Sequence, residues 1–453
     1  MPVQMRLKLK RLLKLSSFVG VACVCAFGAN AETLRETVQM TLSQHPEVDG
    51  ARAAMLAAGQ RRKEQYSAYY PEIRVNATGG RIFGDNSTSR GLSVTRGEGY
   101  SYLWEGSIAA TQKIFDGSET YNRVRSAEAD REAANMSLMD VRENLALRAS
   151  ETYVNLYRLR VGLDMLIKQK NTVKDYMGRI SSLVDDGAAD EAELQQARDV
   201  SVILDNFIAD YYGQLRVLES DYKELTGKFP TEVEDAALVT VDQLPQDVEE
   251  AIALAKGAHP LIQAARYASE STQYDMKAEK TTYIPKFDGE LSFLKSDKDD
   301  IIGGEVEDGR AVVRMNWAFE TGGGQQARIK QRLFEHKQAL ARVNETERQI
   351  ERDIRQAYAE LETAQKQLSN QKRRQDLNRK LYDTYKIQFD GARISLLQLM
   401  QTDNQLLLTK LETLNAQSRV KLAEHSILAS MGYLQKTLNV DDSGELGYPR
   451  HTP

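Results

Sequence analysis

The chain holds only two cysteines, Cys23 and Cys25. Beyond them there is no thiol for a disulfide, a nucleophile or a cysteine metal site. Long apolar runs are also missing. No stretch approaches the ~20 residues of a membrane-spanning helix. A β-barrel stays open on that count, because its signal per strand is weak. An excess of positive charge is absent too. The formal net charge is −5, and phosphate backbones need a basic surface, so nucleic acid is excluded as a partner. The five histidines, His45, His259, His336, His425 and His451, are scattered, and no H-E-x-x-H occurs. Gly322-Gly323-Gly324 is not followed by Gly-Lys-Ser/Thr, so it is no phosphate loop. Nothing resembles a Ser/His/Asp arrangement. The chain is expected to be no enzyme and to need no cofactor or metal.

Residues 1–31 read as a secretory signal peptide. Arg6, Lys8, Lys10, Arg11 and Lys14 precede an apolar run from Leu15 to Phe27, and Ala29-Asn30-Ala31 offers a small-residue cleavage site before Glu32. Its removal takes away both cysteines and five positive charges. The rest of the chain is then near about −10 and expected outside the cytoplasm.

The remainder says much the same thing twice, roughly 204–214 positions apart. His45-Pro46 returns as His259-Pro260, Tyr70-Pro71 as Ile284-Pro285, and Phe115-Asp116-Gly117 as Phe319-Glu320-Thr321-Gly322. Thr152-Tyr153 returns as Ala357-Tyr358, and Asp186-Gly187 as Asp390-Gly391. The first copy covers 32–226 and the second 248–440, with a linker at 227–247 and a polar tail at 441–453. Each copy predicts a helix of moderate length (34–70; 248–283), two strands (72–83 and 100–115; 286–295 and 310–319), a long helix (118–186; 322–390) and a returning helix (190–226; 394–438). In the first long helix Leu138, Val141, Leu145, Ala149, Thr152, Leu156, Leu159, Leu163 and Leu166 alternate spacings of three and four, a coiled-coil seam. At about 1.5 Å per residue each long helix spans roughly 100 Å, beside which two half-length helices fit end to end.

The strands alternate apolar and polar residues. Arg74, Glu105, Asp288, Glu290 and Arg314 fall on polar faces that would line an aqueous lumen. Tyr100, Tyr102, Trp104, Trp317 and Phe319, near strand ends, could sit at the two membrane interfaces. Four strands cannot close a barrel, and an open edge cannot sit in lipid. Three copies would supply twelve strands. Two soluble hairpins packed on helices would explain the alternation alone.

The ordered, duplicated set of His-Pro pairs, Pro71 and Pro285, the Phe-Asp-Gly and Asp-Gly turns, Leu194-Gln195-Gln196-Ala197-Arg198 and Ser395-Leu396-Leu397-Gln398-Leu399 resembles the TolC-type outer-membrane factor family. The resemblance covers essentially everything after residue 31. It implies a mainly α protein with a transmembrane β-barrel: a homotrimer with a 12-stranded barrel in outer-membrane lipid, an α-helical periplasmic tunnel, and an equatorial region at 227–247. It implies the exit duct of a tripartite export system, reached through a periplasmic adaptor from an inner-membrane ABC transporter or other pump. Protein secretion of type I is the cargo class leaned to, on resemblance alone, with small-molecule efflux as the alternative.

In that family acidic residues narrow the tunnel at the periplasmic tip. Glu193 matches one such position, whereas the second copy carries Gln398 and Gln401, with Arg393 beside them. The expectation is a constriction held by amide and Arg393–Glu193 contacts. The acids Asp297, Asp299, Asp300, Glu305, Glu307 and Asp308 lack calcium-loop spacing and read as a solvated loop. A soluble periplasmic coiled-coil scaffold is the reading from another class.

Overall fold

The computed structural model describes residues 32–84, 99–236, 244–298, 305–391 and 393–440, of which 82–84, 99–101 and 298 are described by backbone only. The signal segment, the tail and Asp299 and Asp300 lie outside the described residues. Helices α1 (Leu34–Gln44) and α2 (Pro46–Ser67) lead to strands β1 (Glu72–Gly84) and β2 (Gly99–Phe115). Helix α3 (Glu119–Asp185) runs away from the strands and α4 (Glu191–Thr226) returns. The order then recurs: α5 (Val248–Ala258), α6 (Pro260–Lys280), β3 (Lys286–Lys298), β4 (Val306–Asn316), α7 (Gly324–Asp390), α8 (Leu396–Met431) and a last turn, α9 (Leu434–Thr437).

The helix expected over 34–70 is broken at His45, and its counterpart over 248–283 at His259. Both histidines are extended, with φ/ψ of −75/131 and −60/127. The following proline excludes helical geometry for the residue before it but fits the first position of a new helix. The imidazole then caps that helix. His45 Nδ1 accepts from Glu47 N at 3.2 Å, and His259 Nδ1 from Leu261 N at 3.1 Å. The returning helix expected over 394–438 stops at Gly432, whose φ of +75 suits glycine. A Cβ there would stand 2.7 Å from Pro260 Cδ, so the end of the returning helix closes onto the second copy's own His-Pro pair.

The strands form one antiparallel sheet in the order β1-β2-β3-β4. The fourth strand lies earlier than the expected 310–319. Its register runs from Ser296↔Val306 to Lys286↔Asn316, so Trp317 and Phe319 fall beyond its end, where the chain turns to enter α7. Ile114 bulges out of the β2–β3 ladder between Lys113 and Phe115.

Two lateral rows of helices follow from the packing. Nearer the sheet the order is α2–α3–α6–α7; toward the far tip it is α4–α3–α8–α7. The heptad residues of α3 turn inward: Leu138, Leu145, Ala149, Leu156, Leu159, Leu163 and Leu166 are all buried. Gly162 belongs to that face because the Tyr211 ring crosses it, 2.5 Å from where a Cβ would be. Midway along, Glu32 bridges to Val233. Tyr153 Oη donates to Glu32 O at 2.6 Å and Tyr222 Oη to Glu32 Oε2 at 2.6 Å. This belt ties the first described residue and the linker to the middle of α3 and α4.

Candidate functional site: sheet faces, aromatic levels and the helical tips

The register places Ile73, Val75, Ile108, Leu291, Phe293, Val313 and Met315 on one face of the sheet. That face is the open one: Val75 is 70% and Val313 67% exposed. The residues between them on β2, Leu103, Glu105, Ser107 and Ala109, are half-buried. On β2 the apolar residues are the open ones and the polar row is the more sheltered, whereas on β1 and β4 nearly every residue of both rows is exposed. In water this arrangement exposes the wrong face; in hydrocarbon it is the expected one.

The polar face carries Arg74, Glu105, Asp288, Glu290 and Arg314 together. Arg314 donates to Glu290 at 2.7 Å, and Asn316 Nδ2 to Asp288 at 3.2 Å. Arg74 pairs with Glu72 along its own strand at 2.7 Å. Opposite charges laid across neighbouring strands suit a water-filled interior.

Aromatic side chains gather at two levels. Trp104 and Tyr102 stand near the loop end of the sheet, Trp104 lying across Gly79, where a Cβ would be 2.8 Å from the ring. Of Tyr100 only the backbone is described. At the helical end the rings of Trp317 and Phe319 meet in a tilted contact, centroids 4.6 Å apart, and Trp317 Nε1 donates to Tyr283 O at 3.3 Å. Tyr66, Tyr69 and Tyr70 form a further cluster there, which the strand-by-strand reading missed. Its signal was the aromatic residue just before each X-Pro pair, Tyr69 and Tyr283. From Lys286 to Asp297, opposite Trp104, is roughly 36 Å of strand at about 3.3 Å per residue. A tilt of about 45° makes that roughly 25 Å of depth, the height of an outer-membrane apolar band.

The remaining acids of the 297–308 loop are largely spent in ion pairs. Lys295 holds Glu305 at 3.1 Å and Glu307 at 2.7 Å, and Asp308 pairs with Arg310. Among the described residues no cluster of metal-ligating groups occurs.

At the far end the two helical hairpins turn at 186–190 and 391–395. One apolar cluster holds both turns, with Ile180 and Leu194 from the first hairpin and Leu396 and Met400 from the second. Arg393, Gln398 and Gln401 are exposed and Glu193 half-exposed. Within one chain Glu193 and Arg393 form no ion pair. Above them lies a polar knot that the sequence pattern did not single out. Gln169 Nε2 donates to Asp403 Oδ2 at 3.1 Å. Burial pushes the Asp403 carboxyl up against that bond, and burial together with a bond to Tyr382 pushes the Tyr176 hydroxyl up. The knot ties α3 to α7 and α8 just above the turns. An acid among the leucines of α8 was its only trace in the sequence.

A sheet built to meet lipid, standing on helices several times longer than a domain, defines a subunit of an outer-membrane channel. The chain belongs to the outer membrane efflux protein family, whose model matches residues 37–215 and 251–433. It is therefore a transport protein of the outer membrane and not an enzyme. The outer membrane efflux protein BepC of Brucella suis biovar 1 (strain 1330) is 23% identical over 436 residues, 93% of this chain and 90% of that one. Among solved structures, the Campylobacter jejuni CmeC outer membrane channel superposes with a TM-score of 0.76 at 16% identity, covering 88% of this chain and 86% of that one. The Vibrio cholerae outer membrane protein VceC gives a TM-score of 0.75 at 14% identity, with 88% and 96% covered.

Proposed function

We propose that three copies close into one passive duct, a 12-stranded barrel continued by a helical tunnel, that carries substrate from an inner-membrane pump and a periplasmic adaptor to the exterior. One observation carries this reading. The chain ends laterally in two open edges along its whole length: β1, α2 and α4 on one side, β4 and α7 on the other. An unpaired strand edge is not tolerated in hydrocarbon, and joining the second edge of one copy to the first edge of the next satisfies both. Unlike edges joined in sequence close by rotation about one axis. Twelve strands are a workable barrel.

Small toxic molecules are the favoured cargo. The matched family and BepC both carry efflux in their descriptions, whereas protein cargo has no residue of its own to support it. Deleting the gene should raise sensitivity to hydrophobic drugs and detergents and leave secreted proteins unchanged. Loss of secreted protein with unchanged drug sensitivity would reverse the assignment. A detergent extract that runs as a monomer would remove the duct itself.

The tip residues Glu193, Arg393, Gln398 and Gln401 constrict the tunnel in this reading, through contacts between copies. Purified trimers in a planar bilayer should show several-fold higher conductance with Arg393→Ala or Glu193→Ala than the parent, and a smaller rise with Gln398→Ala. Unchanged conductance in all three variants places the constriction elsewhere.

A further inference from the structure

The two lateral edges of the tunnel half carry opposite charge in matching helical stripes. On α4, Asp199, Ile203, Asn206, Asp210, Gln214, Val217 and Asp221 follow spacings of three and four, and every one is exposed. On α7, Lys366, Asn370, Arg373, Leu377, Lys380, Thr384 and Ile387 do the same, and again every one is exposed. Such a spacing keeps one face along a helix turned to one neighbour. In this chain those faces have none: α4 rests on α3, and α7 on α8 and α6. Acidic residues outnumber basic ones throughout α4, and basic residues outnumber acidic ones from Lys366 to the end of α7.

Apart from Lys366, which pairs with Glu362 one turn away on its own helix, the charges on these stripes are also idle. Ion pairs are plentiful elsewhere, Arg266–Glu347 and Arg355–Glu351 on the upper part of α7 among them. Among the described residues Asp199, Asp210 and Asp221 make no ion pair, and neither do Arg373 and Lys380. Each stripe interleaves its charges with exposed aliphatics, Ile203 and Val217 on one, Leu377 and Ile387 on the other. Val217 is 62% and Ile387 73% exposed.

We infer that the occupant of each stripe is a second copy of this chain, the acidic face of α4 taking the basic face of the neighbour's α7 in an antiparallel pairing. This rests on the three-copy reading above and adds what specifies it. Charges at the flanks of a helical seam set partner and direction more than they add affinity. A copy therefore accepts only an edge of the other sign, which excludes like-with-like joining and favours this chain over another channel subunit lacking the pattern.

The described chain has no cysteine, so the seam can be read by oxidation of introduced pairs. Asp210→Cys would be combined in turn with Arg373→Cys, Leu377→Cys and Lys380→Cys, a scan of about two turns. All positions are exposed, so folding is spared. Because α3 and α8 separate α4 from α7 within one chain, any disulfide must join two copies, and Cα atoms must come within about 7 Å. The expected result is covalent dimer and trimer on denaturing gels for at least one pair. In parallel, Asp199, Asp210 and Asp221→Lys together, or Lys366, Arg373 and Lys380→Glu together, should lower the trimer fraction in detergent at least several-fold, and the combined swap should restore it. Intact trimers with no cross-link from any pair and no loss on charge reversal overturn the seam. Absence of trimers in the unmodified protein instead overturns the reading on which it rests.

Discussion

Val313→Arg is expected to abolish accumulation in the outer membrane, while Arg314→Ala, one residue along, leaves it intact. The two side chains leave the same strand on opposite faces. Val313 stands opposite Gly289 on the apolar side, and Arg314 bonds Glu290 on the polar side. An arginine facing hydrocarbon costs about 2–4 kcal/mol at mid-depth of a barrel and less toward either interface, and Val313, opposite Gly289, stands between the two levels. In a trimer the cost recurs in each copy. Loss of Arg314 breaks only a partly exposed pair with Glu290, worth about 0–1 kcal/mol. Membrane fractionation with heat-modified gel mobility reads both. Equal accumulation of the two variants would falsify the assignment of faces.

The second large effect concerns acid. His259 is buried where α6 begins, and burial lowers its imidazole to about 4, only partly offset by Asp353. The folded pKa is below the unfolded value, so between pH 6.5 and 4 the unfolded chain binds more protons. Stability present above about pH 6.5 is therefore lost as pH falls toward 4, by about 3 kcal/mol from this group. Geometry states the same cost: a protonated Nδ1 cannot accept the Leu261 N–H. Other buried carboxyls oppose the trend. Glu143 and Asp140 are raised by burial and gain protons in the folded state, which stabilises it as pH falls. The imidazole contribution is isolated by His259→Asn, which keeps a capping oxygen and does not titrate. Melting temperatures from pH 4 to 7 should show a shallower acid loss in His259→Asn than in the parent. Parallel pH profiles would mean that His259 contributes nothing to it.

Much of this fold was legible because its signals are local and repeated. A seam such as Leu138 to Leu166 states its own helix, and Asp-Gly states where it stops. The expected helices over 34–70 and 248–283 ran through the breaks at His45 and His259, although Pro46 and Pro260 signalled them, and the histidine's second role left no signal at all. Capping by an imidazole depends on where Nδ1 points, which composition does not reveal. The end of β4 was misplaced because Trp317 and Phe319 continue the alternation of the strand after the ladder has ended. Only the register against Lys286 fixes that boundary. The knot of Gln169, Tyr176, Tyr382 and Asp403 joins α3 to two helices roughly 200 residues further on, so no short window of the sequence contains it. The tip residues themselves were named from resemblance, and among the described residues no ion pair joins Glu193 to Arg393.

The two unlike lateral edges also bear on assembly as a polymerisation. In the proposed ring each copy is a head-to-tail monomer with one growing end of each kind, and the product terminates by meeting its own beginning. A chain with one edge spoiled and the other sound can still add to a growing arc but cannot accept the next unit. Such a chain is a chain stopper: expressed beside the intact protein, it consumes good copies in arcs that never become tubes.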